Sequence, residues 1–282
     1  MRTNLCSFYF WFYKQYLPII RYDDFKENLQ GVNRMEYSGA AAYDDATFFK
    51  DYLTRRNRVD SPNNLIEKTI MLELMSDTNG KKLLDLGCGD AQFGVELLQK
   101  GCTHYDGVEG SENMVGEASK NLQTTTGHVY FSAIEEWNFP TETYDIVVSR
   151  LALHYVADLQ GIFSDIYSAL VSNGKFIFSV QHPILTSSCK SAVTSAAKTN
   201  WIVDDYFHSG KRVEPWIDKN IVKYHRTVED YFQLLKLAGF TMRDMREGMP
   251  KIENFNSESE FQRRMRIPLF LMFSCEKEQR RR

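Results

Sequence analysis

The sequence predicts an α/β fold built on a doubly wound, mostly parallel sheet, and three observations carry that prediction. Short apolar runs alternate in order with stretches of helical apolar spacing from about residue 83 to residue 273. The run Leu83-Leu84-Asp85-Leu86 passes through Gly87-Cys88-Gly89 into Val95-Glu96-Leu97-Leu98, which reads as strand, tight turn and helix. With 282 residues, 43% hydrophobic and 25% charged, the chain suffices for one sizeable core with an insertion and is not generally disordered.

Composition also excludes several function classes. The formal net charge of -3 gives no global electrostatic case for nucleic acid, which is not an expected partner. The five cysteines, Cys6, Cys88, Cys102, Cys189 and Cys275, are odd in number, scattered and without a C-x-x-C pair. A reduced cytoplasmic setting is therefore expected, and no metal site. Residues 1–34 carry the aromatic run Phe8-Tyr9-Phe10-Trp11-Phe12-Tyr13, interrupted by Lys14 and Gln15 and followed by Pro18. It is too short to span a bilayer and lacks a small-residue cleavage site, so neither a membrane helix nor a signal peptide is expected. The expected organisation is an aromatic extension over 1–34 and one domain over 35–282.

Each element of that domain has its own signal. Phe48, Phe49, Tyr52 and Leu53 share a helical face, and Ser61-Pro62-Asn63-Asn64 opens a second helix over Leu65 to Leu74. After the glycine turn, His104 to Glu109 is a second strand ending in an acid 20 positions beyond Gly89. That is where nucleoside-binding folds place the acceptor for ribose hydroxyls. A dinucleotide fingerprint would put a third glycine where Gln92 stands, and Asp85 would oppose a pyrophosphate but suit a cation. His128 to Ser132 is a third strand and Tyr144 to Arg150 a fourth. Ligands lie beyond the carboxyl ends of parallel strands, so Ser149 to Tyr155 should border the site. Asp158 to Leu170 is an amphipathic helix ended by the turn Asn173-Gly174. Lys175 to Val180 is the fifth strand, with Gln181-His182-Pro183-Ile184 at its carboxyl end. Residues 186–225 break the rhythm with small polar residues and then Trp201, Tyr206, Phe207, Trp216 and Tyr224. A lid or substrate wall fits this insertion, and so does a small added subdomain. Thr227 and Asp230 cap a helix over Val228 to Leu237 that Gly239 ends. Phe240 to Met245 and Ile267 to Phe273 are strands six and seven. The arginines at 263–266 and 280–282 read as solvated surface and tail.

The turn D-x-G-x-G at Asp85 to Gly89, with Asp90 beside it, resembles motif I of class I S-adenosylmethionine-dependent methyltransferases. Glu109-Gly110-Ser111-Glu112-Asn113-Met114 is similar to the acidic loop of the same family. The resemblance covers about residues 40–275 and is to a small bacterial-type subgroup of unknown substrate. It implies N-terminal helices folded over the cofactor, and a last strand antiparallel and inserted between the fifth and sixth. It also implies a cofactor set of Tyr43, Asp85, Gly87, Cys88, Gly89, Glu109, Gly110, Ser111, Met114, Ala133, Ile134, Ser149 and Arg150. Met114 would lie against the adenine, or simply pack in the core. An acid often stands where this chain has Ala133, which leaves the Ile134 N–H to bond the ring. No [N/D]-P-P-[Y/F] run, the mark of base-amine methylation, is present.

S-adenosylmethionine carries a methyl group already activated for in-line displacement, so the protein's task is to align a nucleophile and exclude water. His154, with His182 beside the fifth strand, is the candidate general base; a hydrogen-bonded structural histidine and a Pro183-stabilised turn are the alternatives. The expected acceptor wall is Tyr155, Gln181, Trp201, Tyr206, Trp216 and Tyr224. The leading expectation is methyl transfer to an oxygen or nitrogen of a small molecule. The alternatives are transfer to RNA or protein, and a non-catalytic S-adenosylmethionine-binding module.

Overall fold

A computed structural model describes residues 35–56, 58, 60–192, 200–217 and 219–279. The aromatic extension at 1–34 lies outside the described residues.

The chain opens with a two-residue strand, β1 (Glu36–Tyr37), a turn over Gly39–Asp44 and a helix, Ala46–Arg56. A π-type turn, Asn63–Lys68, runs directly into the helix Thr69–Met75. Then β2 (Lys82–Leu86), β3 (His104–Glu109), β4 (Gly127–Phe131), β5 (Tyr144–Arg150) and β6 (Leu170–Gln181) follow. The helices Gln92–Gln99, Glu112–Leu122 and Leu159–Ala169 connect most of them; between β4 and β5 there is only the single turn Ile134–Glu136. A hairpin, β7 (Gly210–Trp216) and β8 (Lys219–His225), precedes the helix Val228–Leu237, and β9 (Thr241–Arg246) and β10 (Phe270–Glu276) complete the fold.

Seven strands form one sheet in the order β4-β3-β2-β5-β6-β10-β9. The first five are mutually parallel, and β10 runs antiparallel to both neighbours, β6 and β9. The last strand therefore lies between the fifth and sixth of the main sheet, as the resemblance implies. Successive residues of a strand face opposite sides. Leu84, Leu86 and Val147 accordingly pack with Phe163, Phe178 and Tyr231 under one helical layer, whereas Leu83, Ile146 and Val148 pack with Met71, Leu97 and Ala118 under the other. A sheet buried on both faces needs near-continuous apolar strands, which is what β2, β5 and β10 are.

Three boundaries differ from expectation for local reasons. Asn173-Gly174 does turn the chain, with Asn173 at φ 62°, but as a bulge inside the long strand β6. Its register against β5 jumps from Tyr144↔Leu170 to Ile146↔Lys175. The last strand starts at Phe270 rather than Ile267; Pro268 has no N–H to give a sheet ladder. The insertion at 186–225 contains the β7–β8 hairpin, and β8 pairs in parallel with β1 through Glu36↔Asn220 and Tyr37↔Ile221. Pro215 is tolerated because β7 is an edge of this three-stranded sheet.

Candidate functional site

A cavity of about 830 Å³ opens at the carboxyl ends of β2, β3, β5 and β6, roofed by the Gly39–Asp44 turn and walled on one side by β7 and β8. Its floor is the glycine turn. Gly87 and Gly89 both have left-handed backbones, at φ 73° and 60°. A Cβ on Gly87 would stand 2.4 Å from that of Ala152, while one on Gly89 would meet nothing within 4 Å. The first glycine is needed for the close passage of the chain and the second leaves room for a ligand.

Two buried acids define the polar character of this half. Glu109 accepts the Gly89 N–H at 2.9 Å and the Ser111 N–H at 3.0 Å, one on each oxygen. The backbone donors hold the carboxylate rigidly, and its remaining acceptor capacity suits a vicinal diol. Burial pushes its carboxyl up, opposed by those N–H donors. Asp85 is 2% exposed; its Oδ2 accepts the Tyr105 hydroxyl at 2.9 Å, and its Oδ1 has no partner. Burial pushes this carboxyl up to about 7 despite the tyrosine bond. An orphaned buried carboxylate oxygen at the cleft floor is complementary to a ligand cation.

The roof is tied down by side chains. Ser111 caps the helix Glu112–Leu122 by accepting the Met114 N–H at 3.2 Å and donates to Asp44 at 2.7 Å. Asn113 donates to the Tyr43 carbonyl at 2.9 Å. Tyr43 then meets Tyr52 and Trp216 edge-on, with ring centroids 4.7 and 6.4 Å away. Met114, Ala133 and Ile134 form the apolar wall on the other side of Glu109.

Across the cavity two charged groups of the insertion meet the end of β6. Lys223, 5% exposed, is ion-paired with Glu214 and donates to Gln181 Oε1 at 3.0 Å, with its ammonium 5.9 Å from the Trp216 ring centre. His154 lies nearby, buried and tilted against Tyr155 at 4.3 Å. Burial and the positive charges of Lys223 and Arg226 hold its imidazole well below the usual range. The Gln181 N–H points to its Nδ1 at 3.5 Å, which assigns the neutral ring the tautomer with its proton on Nε2.

A family model described as a methyltransferase domain matches residues 59–244. The chain belongs to the class I S-adenosylmethionine-dependent methyltransferases. It is 34% identical over 221 residues to an uncharacterised protein of Haemophilus influenzae, covering 74% of this chain and 86% of that one. A solved S-adenosylmethionine-dependent methyltransferase from Mesorhizobium loti is 27% identical with a TM-score of 0.70, covering 77% of this chain and 98% of that structure. Phosphoethanolamine N-methyltransferase 1 of Arabidopsis thaliana is 25% identical over 172 residues, which span 60% of this chain but 30% of that enzyme.

The cofactor of this methyltransferase is S-adenosylmethionine, and the cleft residues fit it. The orphaned Asp85 oxygen suits the cofactor's ammonium, the Glu109 carboxylate suits the ribose diol, and the open space over Gly89 admits the chain between them. Tyr43, Gly87, Cys88, Gly110, Met114, Ala133, Ile134 and Arg150 border the same cavity. Two residues expected there stand behind the wall. Ser149 is fully buried and donates to the Leu86 carbonyl at 2.8 Å; Ser111 is fully buried as the helix cap already described. Arg150 borders the cavity with its guanidinium committed to Glu67 and its plane 4.3 Å from the Phe93 ring centre.

Of the residues expected to handle the acceptor, the structure brings His154, Tyr155, Gln181, Trp216 and Tyr224 to the cavity and leaves three out. His182 caps the Pro183–Thr186 turn: its Nδ1 accepts the Ile184 N–H at 3.2 Å and its Nε2 meets Glu247 at 3.1 Å. Trp201 borders a separate cavity of about 170 Å³ beyond Gln181 and Glu214, with Arg266 5.2 Å from its ring centre. Tyr206 receives the Val228 N–H on its hydroxyl and the His225 ring N–H on its carbonyl. Each is held by a partner distant in sequence, Glu247, Arg266 or the Val228 and His225 donors, which a sequence pattern does not display. The residues that sequence reasoning missed, Lys223, Glu214, Glu67 and Asp44, are charged side chains of ordinary-looking surface type; only their long-range pairing marks them.

Among the described residues no helix is long and apolar enough to cross a membrane.

Proposed function

We propose that this methyltransferase methylates an oxygen or nitrogen atom of a small molecule held between Trp216, Tyr155 and the Lys223–Glu214 pair. The observation that carries this reading is the buried ion pair at the acceptor wall. Lys223 and Glu214 together with the Gln181 amide offer a donor, an acceptor and a polar pivot inside an aromatic enclosure. Small-molecule sites combine such an apolar wall with a few fixed polar groups. Bound cofactor supplies the sulfonium methyl. The Tyr43–Trp216 roof excludes water, and the Lys223–Glu214–Gln181 group orients the acceptor atom toward the methyl.

His154 takes a different part in this reading from the one its position in sequence suggests. An imidazole with a strongly lowered basicity, its proton already on Nε2 and its Nδ1 receiving the Gln181 N–H, is a poor acceptor of a substrate proton. We assign it to holding the end of β6, and so the Gln181 side chain, in place. An acceptor whose nucleophilic atom is already uncharged, or which loses its proton to water after transfer, suits such a site.

The test is incubation with methyl-labelled S-adenosylmethionine and a cell extract divided into metabolite, RNA and protein fractions. Label is expected in the metabolite fraction; label confined to RNA or protein overturns the reading. With the acceptor identified, Trp216→Ala should lower kcat/KM for it by tenfold or more, the scale of about 1.5–3 kcal/mol for a lost aromatic contact. Cofactor affinity should change much less, and calorimetry checks that half of the prediction.

A further inference from the structure

Away from the cleft, β3 and the edge strand β4 bring two imidazoles and a carboxylate to one face of the sheet. His104 and Asp106 are two residues apart on β3 and so share a face, and Asp106 stands directly opposite His128 in the β3–β4 register. One ligand atom from each of the three lies within 4.8 Å of the other two. The rings of His104 and His128 have centroids 6.0 Å apart. The rim of the cluster reaches solvent: His128 is exposed, the His104 side chain is 38% exposed, and Tyr130, on the same face as His128, is 41% exposed.

Asp106 is the informative member. It is 6% exposed, and its Oδ2 meets the His104 Nε2 at 2.9 Å and accepts the Tyr144 hydroxyl at 2.8 Å. Its Oδ1 is buried without a partner. Among the described residues no lysine or arginine is ion-paired with it. A buried carboxylate with an unused oxygen, an oriented second partner in Tyr144 and two imidazoles within reach lacks a compensating cation.

We propose that His104, Asp106 and His128 bind one late first-row divalent metal ion of the zinc, nickel or copper class, at a site distinct from the methyl-transfer cleft. Imidazole donors select these ions over magnesium and calcium, and two histidines with one carboxylate occupy three positions and leave the solvent side open for water. The Tyr144 hydroxyl, bonded to the carboxylate, orients it toward the ion as outer partners of metal ligands do. Asp106 lies three residues before Glu109 on the same strand, roughly 10 Å at 3.3 Å per residue, so the ion does not touch the cofactor.

The experiment is calorimetric titration of the untagged full-length protein with zinc chloride, repeated with nickel chloride and with magnesium chloride. Zinc and nickel are expected to bind at one equivalent with micromolar or tighter affinity, and magnesium not to bind. His128→Gln removes a direct ligand and should weaken zinc binding by at least about 10- to 100-fold, the loss typical of mutating even an outer partner of a metal ligand. The double variant His104→Gln/His128→Gln should abolish it while S-adenosylmethionine affinity stays unchanged, which also shows that the variant is folded. The control His208→Gln, on an exposed histidine elsewhere, should bind zinc like the parent protein. Absence of a saturable one-equivalent zinc site, or its survival in the folded double variant, would overturn the proposal.

Discussion

Glu67→Ala should lower the unfolding free energy by about 3–5 kcal/mol, read from urea denaturation at pH 7. Glu67 is fully buried and receives the Arg150 guanidinium through Nε at 3.1 Å and through Nη2, together with the Ser179 hydroxyl at 2.6 Å. Those bonds join the turn before the Thr69–Met75 helix to β5 and β6, so one side chain fastens three elements behind the cleft. Removing it leaves a guanidinium 8% exposed, stacked on Phe93 and without its counter-charge. The loss is thus mainly the penalty of an unpaired buried charge rather than the value of the pair. The double variant Glu67→Leu/Arg150→Met, which removes both charges, should recover most of the stability. A loss below about 1 kcal/mol for Glu67→Ala would contradict the burial on which this rests.

Asp85→Asn should have opposite effects on the free protein and on the complex. Burial raises the Asp85 carboxyl from 3.8 to about 7, so the folded state holds this proton more tightly than the unfolded chain does. Its contribution to stability is fully present below about pH 4 and is lost as pH rises to about 7. The upper limit of that loss is about 4 kcal/mol, at 1.36 kcal/mol per unit. Asparagine cannot ionise, so the variant should lack this decline and be the more stable protein at pH 8 in the absence of cofactor. The cofactor's ammonium requires the charged form, so parent affinity should rise between pH 6 and pH 8, and the variant should bind about tenfold or more weakly at pH 8. Parallel pH profiles of stability for the two proteins would show that Asp85 is not the group responsible.

The parts of the fold legible in sequence are those where short-range chemistry and long-range packing agree. Asp85, Gly87 and Gly89 marked the turn because the backbone there needs left-handed conformations and close passage against Ala152. Glu109 was legible by its spacing, since strand, helix and strand have nearly fixed lengths in this architecture. The β7–β8 hairpin was not. Lys211, Arg212, Glu214, Lys219 and Lys223 make its strands look polar, Pro215 argues against a strand, and the connection after Trp216 begins with Ile217 at φ 53° rather than with Asn-Gly. Its partner β1 is more than 180 residues away, so pairing is visible only in three dimensions.

The same distinction governs the site. Lys223 reads as a solvated strand residue until the hairpin register sets it diagonally across from Glu214 on the cavity side. His182 has the residue type and position of a general base, and Tyr206 those of an acceptor-wall group. Their side chains are instead taken up in capping the Pro183–Thr186 turn and the Val228–Leu237 helix. Catalytic and capping histidines share one residue type, and only the geometry of the neighbouring N–H groups separates them.

The cofactor assignment rests most directly on Glu109, and calorimetric titration of S-adenosylmethionine into the parent protein and into Glu109→Ala tests it. The parent should bind one equivalent. In the variant, loss of hydrogen bonds from the ribose to a charged group should weaken binding by roughly 1.5–3 kcal/mol, about 10- to 150-fold. Unchanged affinity in a Glu109→Ala protein that still unfolds cooperatively would contradict the account.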